Sequence, residues 1–581
     1  MTKRPLTDTA TTITLQTVLD RISSASELSD GRKRDLRSAA ISFAKLTGRA
    51  PAAIPLDLAG IRETLDHLVP AAAKISTKRW ANLRSDLAAA IAASGLRRML
   101  KTSDVRVDGA WAELLASADQ WARHGLSRFA RWASTQGIRP KEVDDRTIDR
   151  FIADLDTATL VRNLRNLPGT VARAWNAAVV RLHAASGLHP VTVPTNSRES
   201  SGIPWLRLPA SFRDDVERYL TWGSVPDPLV EGARPRALSP LSLRLQRTHV
   251  HSAATAALAT GVPVDRLCAL ADLVEPETFR AVLRHRWRQD GKRLSAFTHG
   301  LGVTLIAIAK EWVRISPIAI AELKAIRGKL GTLPTGLTQK NQALLRRFDD
   351  PSLQAALVQL PDKLWHAARR GLATSRWPFI DLQSALAVDL LVHVPALRMQ
   401  NLSSLRFDKH LHWPQGRRKP ALLTFGDDET KNNVRFEFEI PTVLAERLWI
   451  YRNEIAPVVT GQRPDAVFVT FKGKARTQAA IKIAIERTVL RKLGVKLTPH
   501  QFRHLAAKFT LDANPGAYEL VRQLLAHKNL KTTTNFYAGI DTRRAGRAHA
   551  DLIMKLREIE LGRRRRRRTP PPLKDKRDAR S

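Results

Sequence analysis

Apolar residues along most of this chain recur at intervals of three and four, the period of amphipathic helices, with a switch to alternation in one short stretch near residue 430. Leu36 to Leu46 reads as a helix before Gly48, and Ile61 to Leu68 as a second. A third opens at Arg79-Trp80-Ala81-Asn82-Leu83 and stops at Ser94-Gly95-Leu96. The same order returns further on: Leu126 to Trp132 before Gly137-Ile138, then Ile148 to Leu155, then a helix opened by Ala174-Trp175-Asn176 and closed by Ser186-Gly187-Leu188. Two duplicated helical units are the expectation, with chance likeness among Ala-rich helices as the alternative. Gly95 and Gly187 are placed as helix C-caps.

A third, more divergent unit is expected over Leu238 to Val313, with helices near Leu243 to Ala259, Pro263 to Leu270 and Leu294 to Trp312. Pro190 to Pro209 reads as a linker, and Gly331, Pro334 and Gly336 mark another break. Helical patterns at Leu353 to Leu372 and Ile380 to Val394 then lead into strand-like Ala421 to Phe425. Together with the alternating Val434, Phe436, Phe438 and Ile440, these flank Gly426-Asp427-Asp428 and Asn432-Asn433, which predicts a hairpin. Helices resume through Val443 to Ile455, Gln478 to Leu490 and from His500. The expected fold is mainly α with a small antiparallel β hairpin or sheet in a C-terminal domain, an α+β arrangement preceded by helical domains. The expected divisions are 1–105 (a SAM-like repeat as one reading), 106–200, 209–345, 350–560, and a basic disordered tail over 561–581.

Length and charge narrow the partners. At 581 residues the chain is too long for one core. Ninety-five Lys and Arg against 55 Asp and Glu give a formal charge of +40, which favours a polyanion, nucleic acid ahead of an anionic membrane. A basic surface without such a partner is the plainer reading. No apolar run has the length of a membrane span and no secretory h-region follows Met1, so a cytoplasmic, nucleoid-associated, bacterial location is expected. The single cysteine, Cys268, excludes an internal disulfide and a Cys-rich zinc site, and reads as a core residue. Arg563 to Arg568 would bind phosphate without sequence preference.

The chemistry concentrates near the end, where His500, Arg503, His504, His527 and Tyr537 fall within about forty residues. Cleaving a phosphodiester needs a nucleophile, neutralisation of charge on the non-bridging oxygens, and a proton for the leaving oxygen. His500 and Arg503, three apart on a helix, share a face and reach one phosphate. Each residue has a plain reading as well: Arg398 as a surface arginine near a helix end, Tyr537 as a packed aromatic, His527 as a helix cap. His504 reads as a packing residue beside the site.

Here the chain resembles the tyrosine recombinases, or phage-type integrases, over about residues 375 to 545. The resemblance rests on Ala396-Leu397-Arg398 leading to Leu402 and Leu405-Arg406, on Thr430-Lys431 in the predicted turn, on His500-x-x-Arg503, on Leu525-Ala526-His527 and on Tyr537. It implies that Tyr537 attacks the scissile phosphate to form a 3′-phosphotyrosyl link, and that Arg398 and Arg503 clamp the phosphate. Lys431 would protonate the leaving 5′-oxygen, although Lys419 and Lys472 also lie near predicted strands. His500 would assist proton transfer at the tyrosine and His527 would hydrogen-bond the phosphate. No cofactor, metal or ATP is implied.

Leu-Ala-His replaces the usual Leu-Gly-His, expected to be mild because alanine is also small, and Asn401 stands where an acidic residue often follows the first arginine. The implied activity is site-specific recombination of double-stranded DNA by a homotetramer on two sites, with an accessory directionality protein left open. Type IB topoisomerase-like relaxation and a non-catalytic DNA-binding accessory protein are the alternatives. The third helical unit, with Arg284, Arg286, Arg288, Lys292 and Arg293, is the candidate core-binding domain, and Arg563, Arg564, Arg565, Arg566, Arg567 and Arg568 are further candidate DNA contacts.

Overall fold

A computed structural model describes residues 13–100, 105–182, 187–194, 202–227, 229–230, 233–430 and 434–568, with the side chains of 538–545, 547–548 and 561–568 left out. Among the described residues the chain is mainly helical with one three-stranded antiparallel sheet. It divides into two compact bodies, Met1–Thr195 with Gly336–Ser581, and Asn196–Thr335.

In the first body, two successive segments repeat one order of elements. Leu15–Ser24, Asp30–Thr47, a 3₁₀ turn at Pro51–Ala53, Leu58–His67 and Thr77–Ala93 make the first. Gly109–Ser117, Gln120–Thr135, a 3₁₀ turn at Pro140–Glu142, Asp145–Ala158 and Leu167–Leu182 make the second. The opening helix and the 3₁₀ turn of each escape the sequence pattern, because nine or ten residues give few periods to read. The long second helices stop alike, at Gly48 (φ +68°) and Gly137 (φ +68°), a left-handed backbone that glycine enters without a Cβ clash. Each segment has its own apolar cluster, around Phe43, Trp80 and Leu87 in one and Trp111, Phe129, Trp132 and Trp175 in the other. Arg62, buried, joins them by donating to the carbonyls of Asp156 (2.9 Å) and Thr159 (3.1 Å) and pairing with the Asp156 carboxylate.

The second body is built from Ala210–Ser224, Pro240–Ala259, Pro276–Gln289, Ala296–Ile308 and Pro317–Gly328. The Pro276–Gln289 helix was not expected; it carries Arg284, Arg286 and Arg288, and its charged face masks the Phe279, Val282, Leu283 stripe that packs inward. Pro263 to Leu270, expected as a helix, is only a 3₁₀ turn at Val264–Arg266 followed by extended chain, since helix Leu270–Val274 starts afresh behind it. Cys268 sits in that connection and is exposed, so it is not a core residue. Its N–H donates to the Asp272 carboxylate (2.7 Å), which fixes it outside the fold as part of a helix start.

In the C-terminal part of the first body, Pro378–His393 is buried on every side between Leu382 and Leu391 and runs through the core. Leu360–Leu372, Thr442–Ile450, Gln478–Leu493 and Pro499–Ala513 pack around it. Strand β1 (Leu411–His412) pairs antiparallel with β2 (Ala421–Phe425), and β2 with β3 (Phe436–Ile440) in the register Leu423 opposite Phe438. β1, only two residues long, was not legible in the sequence. Arg447 spans the buried Asp389 (2.9 Å) and Asp362 (2.5 Å), so the central helix is tied by charge as well as packing.

The last helix among the described residues is long, Leu530–Arg568. Arg563 to Arg568 therefore continue a helix rather than form part of a disordered tail, which arginine's good helix propensity permits. Thr569 onward lies outside the described residues. Among the described residues no helix is long and apolar enough to cross a membrane.

Candidate active site

Four short pieces of chain meet beside the end of the central helix. The first is the turn after Pro378–His393, where Val394 to Leu397 are buried and Arg398 is the N-cap residue of Met399–Ser404. The second is the start of Pro499–Ala513, set by Pro499 at the first helical position and by Gln501, whose side-chain oxygen accepts from the Thr498 N–H (2.8 Å). That start places His500, Arg503 and His504 within one and a half turns of each other. The third is the junction at residues 525–527, and the fourth is the first two turns of Leu530–Arg568, which carry Thr533 and Tyr537.

Arg503 holds these pieces together. Its guanidinium is 3% exposed and donates to the carbonyls of Pro395 (2.7 Å), Ala396 (2.7 Å) and Leu525 (2.6 Å). It thereby ties the backbone two residues before Arg398 to the backbone two residues before His527. Burial, then the neighbouring Arg398, pull it down to about 10, which leaves it charged at neutral pH, with Tyr537 acting the other way. Arg398 is half-buried and also lowered by burial.

His527 owes its position to a helix ending. The N–H groups of Ala526 and His527 donate to the carbonyls of Gln523 and Arg522 (3.0 Å each), the two bonds of a Schellman motif. Ala526 occupies its left-handed position at φ +48°. The alanine was expected to be mild on grounds of size; the structure shows that backbone conformation, not volume, is what glycine would serve here. Ala526→Gly is expected to raise stability by about 1 kcal/mol, the relief of left-handed strain less glycine's greater unfolded-state freedom. Chemical denaturation read by circular dichroism measures it, and a loss of stability would contradict the strain. The His527 ring is fixed by Nδ1 against the buried Thr533 hydroxyl (2.9 Å). Burial, Arg503, Arg398 and His500 push it down to about 4, so it is a neutral imidazole at pH 7.

Tyr537 is 2% exposed and packs against Ala507, Leu511, Val521 and Leu525. Its hydroxyl lies 2.9 Å from His504 Nδ1, and burial pushes it up to about 12 against the pull of Arg503. His504 is thus more than a packing residue. Its ring also meets that of His500, edge to face with centroids 4.9 Å apart. The sequence marked His504 only by its place one helical turn after His500, and nothing in it pointed to Tyr537, 33 residues on. Thr533 was missed for the same reason.

Lys431 lies outside the described residues. Its neighbours are ordered by specific bonds: the Thr430 hydroxyl donates to Asp427 O (3.2 Å) and accepts from Val434 N (2.9 Å), closing the turn. Asn401 donates to Glu429 O (3.0 Å), so the residue three after Arg398 braces the hairpin rather than the arginine. Glu429 accepts from Lys409 (2.6 Å) and His410 (3.1 Å), and these bonds outweigh burial to hold its carboxyl at about 2.

In the second body Arg284, Arg288, Lys292 and Arg293 are exposed on Pro276–Gln289 and the turn after it. Arg286 is engaged otherwise: it donates to Gln289 (2.8 Å) and lies over the Phe297 ring at 5.0 Å.

Residues 372–544 match the sequence model of the phage integrase family. That stretch, under a third of the chain, contains every one of the clustered side chains. Curated relatives include the tyrosine recombinase XerC of Pseudomonas syringae pv. syringae, 35% identical over 83 residues, and that of Pseudomonas aeruginosa, 34% over 87. These matches span 14% and 15% of this chain and 27% and 28% of the relatives, so just over a quarter of each relative's length is matched. Among solved structures, a lambda integrase (75–356) dimer bound to a COC′ core site aligns with TM-score 0.34 at 14% identity, covering 56% of this chain and 94% of that one. XerH bound to difH substrate aligns with TM-score 0.27 at 14% identity over 50% and 90%.

Proposed function

We propose that this protein is a site-specific DNA recombinase that cleaves and rejoins strands through a 3′-phosphotyrosyl intermediate at Tyr537, without metal or ATP. The observation that carries it is Arg503, whose three carbonyl bonds draw Arg398, His527 and the Tyr537 helix around one positively charged point. A single phosphodiester is the group such a point suits, because planar guanidinium groups match its oxygens and water is largely excluded.

In this reading Arg398 and Arg503 hold the non-bridging oxygens, and His527, a neutral donor through Nε2 if Nδ1 accepts from Thr533, adds a hydrogen bond. Lys431 gives its proton to the leaving 5′-oxygen. The phosphotyrosine conserves the bond energy, so a 5′-hydroxyl from the same or another strand reverses the step. The formal charge of +40 and the exposed cations of Pro276–Gln289 suit a DNA duplex, with residues 209–345 as the binding domain that precedes a catalytic domain over 350–560. Exchange between two sites calls for four copies of the chain.

The test uses a pool of random-sequence duplexes carrying a nick in one strand, so that the short cleaved fragment diffuses away and traps the covalent product. A protein-DNA adduct stable in detergent, mapped by mass spectrometry to Tyr537 and unchanged in yield by EDTA, is expected. An adduct on another residue, or none, would sink the reading, and loss with EDTA would call for a metal.

A further inference from the structure

Under the strand-cleavage reading, the tyrosine must lose its proton as it attacks, and the family resemblance directs that task to His500. The geometry directs it elsewhere. His504 Nδ1 lies 2.9 Å from the Tyr537 hydroxyl, and both side chains are buried. His500, one turn earlier on the same helix, is exposed. We propose that His504 is the proton acceptor for Tyr537, a catalytic residue beyond the six that the resemblance supplies, and that the role rests on the strand-cleavage reading.

The step balances with the groups at hand. The Tyr537 O–H bond breaks and its proton passes to His504 Nδ1 while the Tyr537 oxygen bonds to phosphorus. The bond from phosphorus to the 5′-oxygen breaks, and that oxygen takes a proton from Lys431. Religation returns both protons. Acceptance at Nδ1 requires the tautomer with hydrogen on Nε2, and it requires a neutral ring. The groups facing His504 favour neutrality in the free protein: His500 and Arg503 on its own helix, His527 from the junction at residues 525–527, and the Tyr537 hydroxyl from the last described helix. Burial first, then His500, Arg503 and His527, push His504 down to about 4. A bound phosphate brings a negative charge beside Arg503 and Arg398, which offsets their field and makes the ring a better base at the moment of attack.

The chain has four tyrosines, so labelling their Cζ carbons gives four signals, and Tyr537→Phe identifies one. In His504→Gln that signal is expected to move in the free protein, before any DNA is added. Adduct formation on the nicked random-sequence pool is then followed from pH 6 to 10. Wild type is expected to hold a flat rate, since His504 stays neutral throughout. His504→Gln is expected to lose about 10²–10⁴-fold at pH 7, the usual contribution of a positioned base. It should also regain about tenfold per pH unit, because Tyr537 must then ionise unaided.

A merely structural role would lower the rate equally at every pH, and that outcome overturns the proposal. So does a His504→Gln protein with the wild-type rate, or an unmoved Tyr537 signal. If the glutamine variant does not fold, His504→Asn is read in the same two ways. Failure of wild type to form any adduct instead removes the strand-cleavage reading, and the base with it. An adduct in wild type with a flat, fast His504→Gln profile leaves that reading standing and removes only the base.

Discussion

Tyr537→Phe is expected to form no covalent adduct above background on the nicked duplex pool, while still retarding DNA in a gel. The hydroxyl is the only atom removed, and under the proposed reaction it is the nucleophile. The ring should stay in place among Ala507, Leu511, Val521 and Leu525. Stability should fall by about 1 kcal/mol, because His504 Nδ1 loses its partner in a buried site and that cost is only partly offset by burying a less polar ring. Denaturant titration checks this. An adduct that persists in the phenylalanine protein would move the nucleophile to another residue.

Arg503→Lys has the second large effect, and it should appear in two measurements at once. The guanidinium reaches Pro395 O and Ala396 O through one nitrogen and Leu525 O through another. A single ammonium cannot span both sets, so at least one carbonyl is left without its donor in a site that excludes water. Losing hydrogen bonds to a buried charge costs about 1.5–3 kcal/mol each, and the variant is expected to lose about 3 kcal/mol in all. Adduct formation should fall by about 10²-fold or more, because the bidentate clamp on phosphate and the alignment of Arg398 with His527 both depend on the fork. Unchanged stability would show that the carbonyl bonds contribute little. A rate loss without a stability loss would assign Arg503 to the phosphate alone.

Much of the candidate site was legible because its residues are named by type and order. Arg398, His500, Arg503, His527 and Tyr537 stand in the order of the resembling family, and chemistry restricts which side chains can stand there. The helical period likewise gave most of the long helices, and alternation gave the strands β2 and β3. What was missed has a common cause. The helices Leu15–Ser24 and Gly109–Ser117 are too short for their period to register, and Pro276–Gln289 carries so many cations that its apolar stripe is obscured. Cys268 was misplaced because residue type says little about a position in a turn.

The sequence by itself determined which candidate residue types the chain carries and in what order, the helical character of most of the chain and its strong positive charge, since each is a property of local composition and spacing. Only the tertiary structure decided who touches whom. His504 meets Tyr537, Thr533 orients His527, Asn401 braces the hairpin and Arg503 binds carbonyls on either side, contacts that join residues up to about a hundred apart. Hydrogen bonds depend on where backbones are brought together, and a turn such as Ala526 shows its strain only in its dihedral angle, which no pattern of hydrophobic and polar residues encodes.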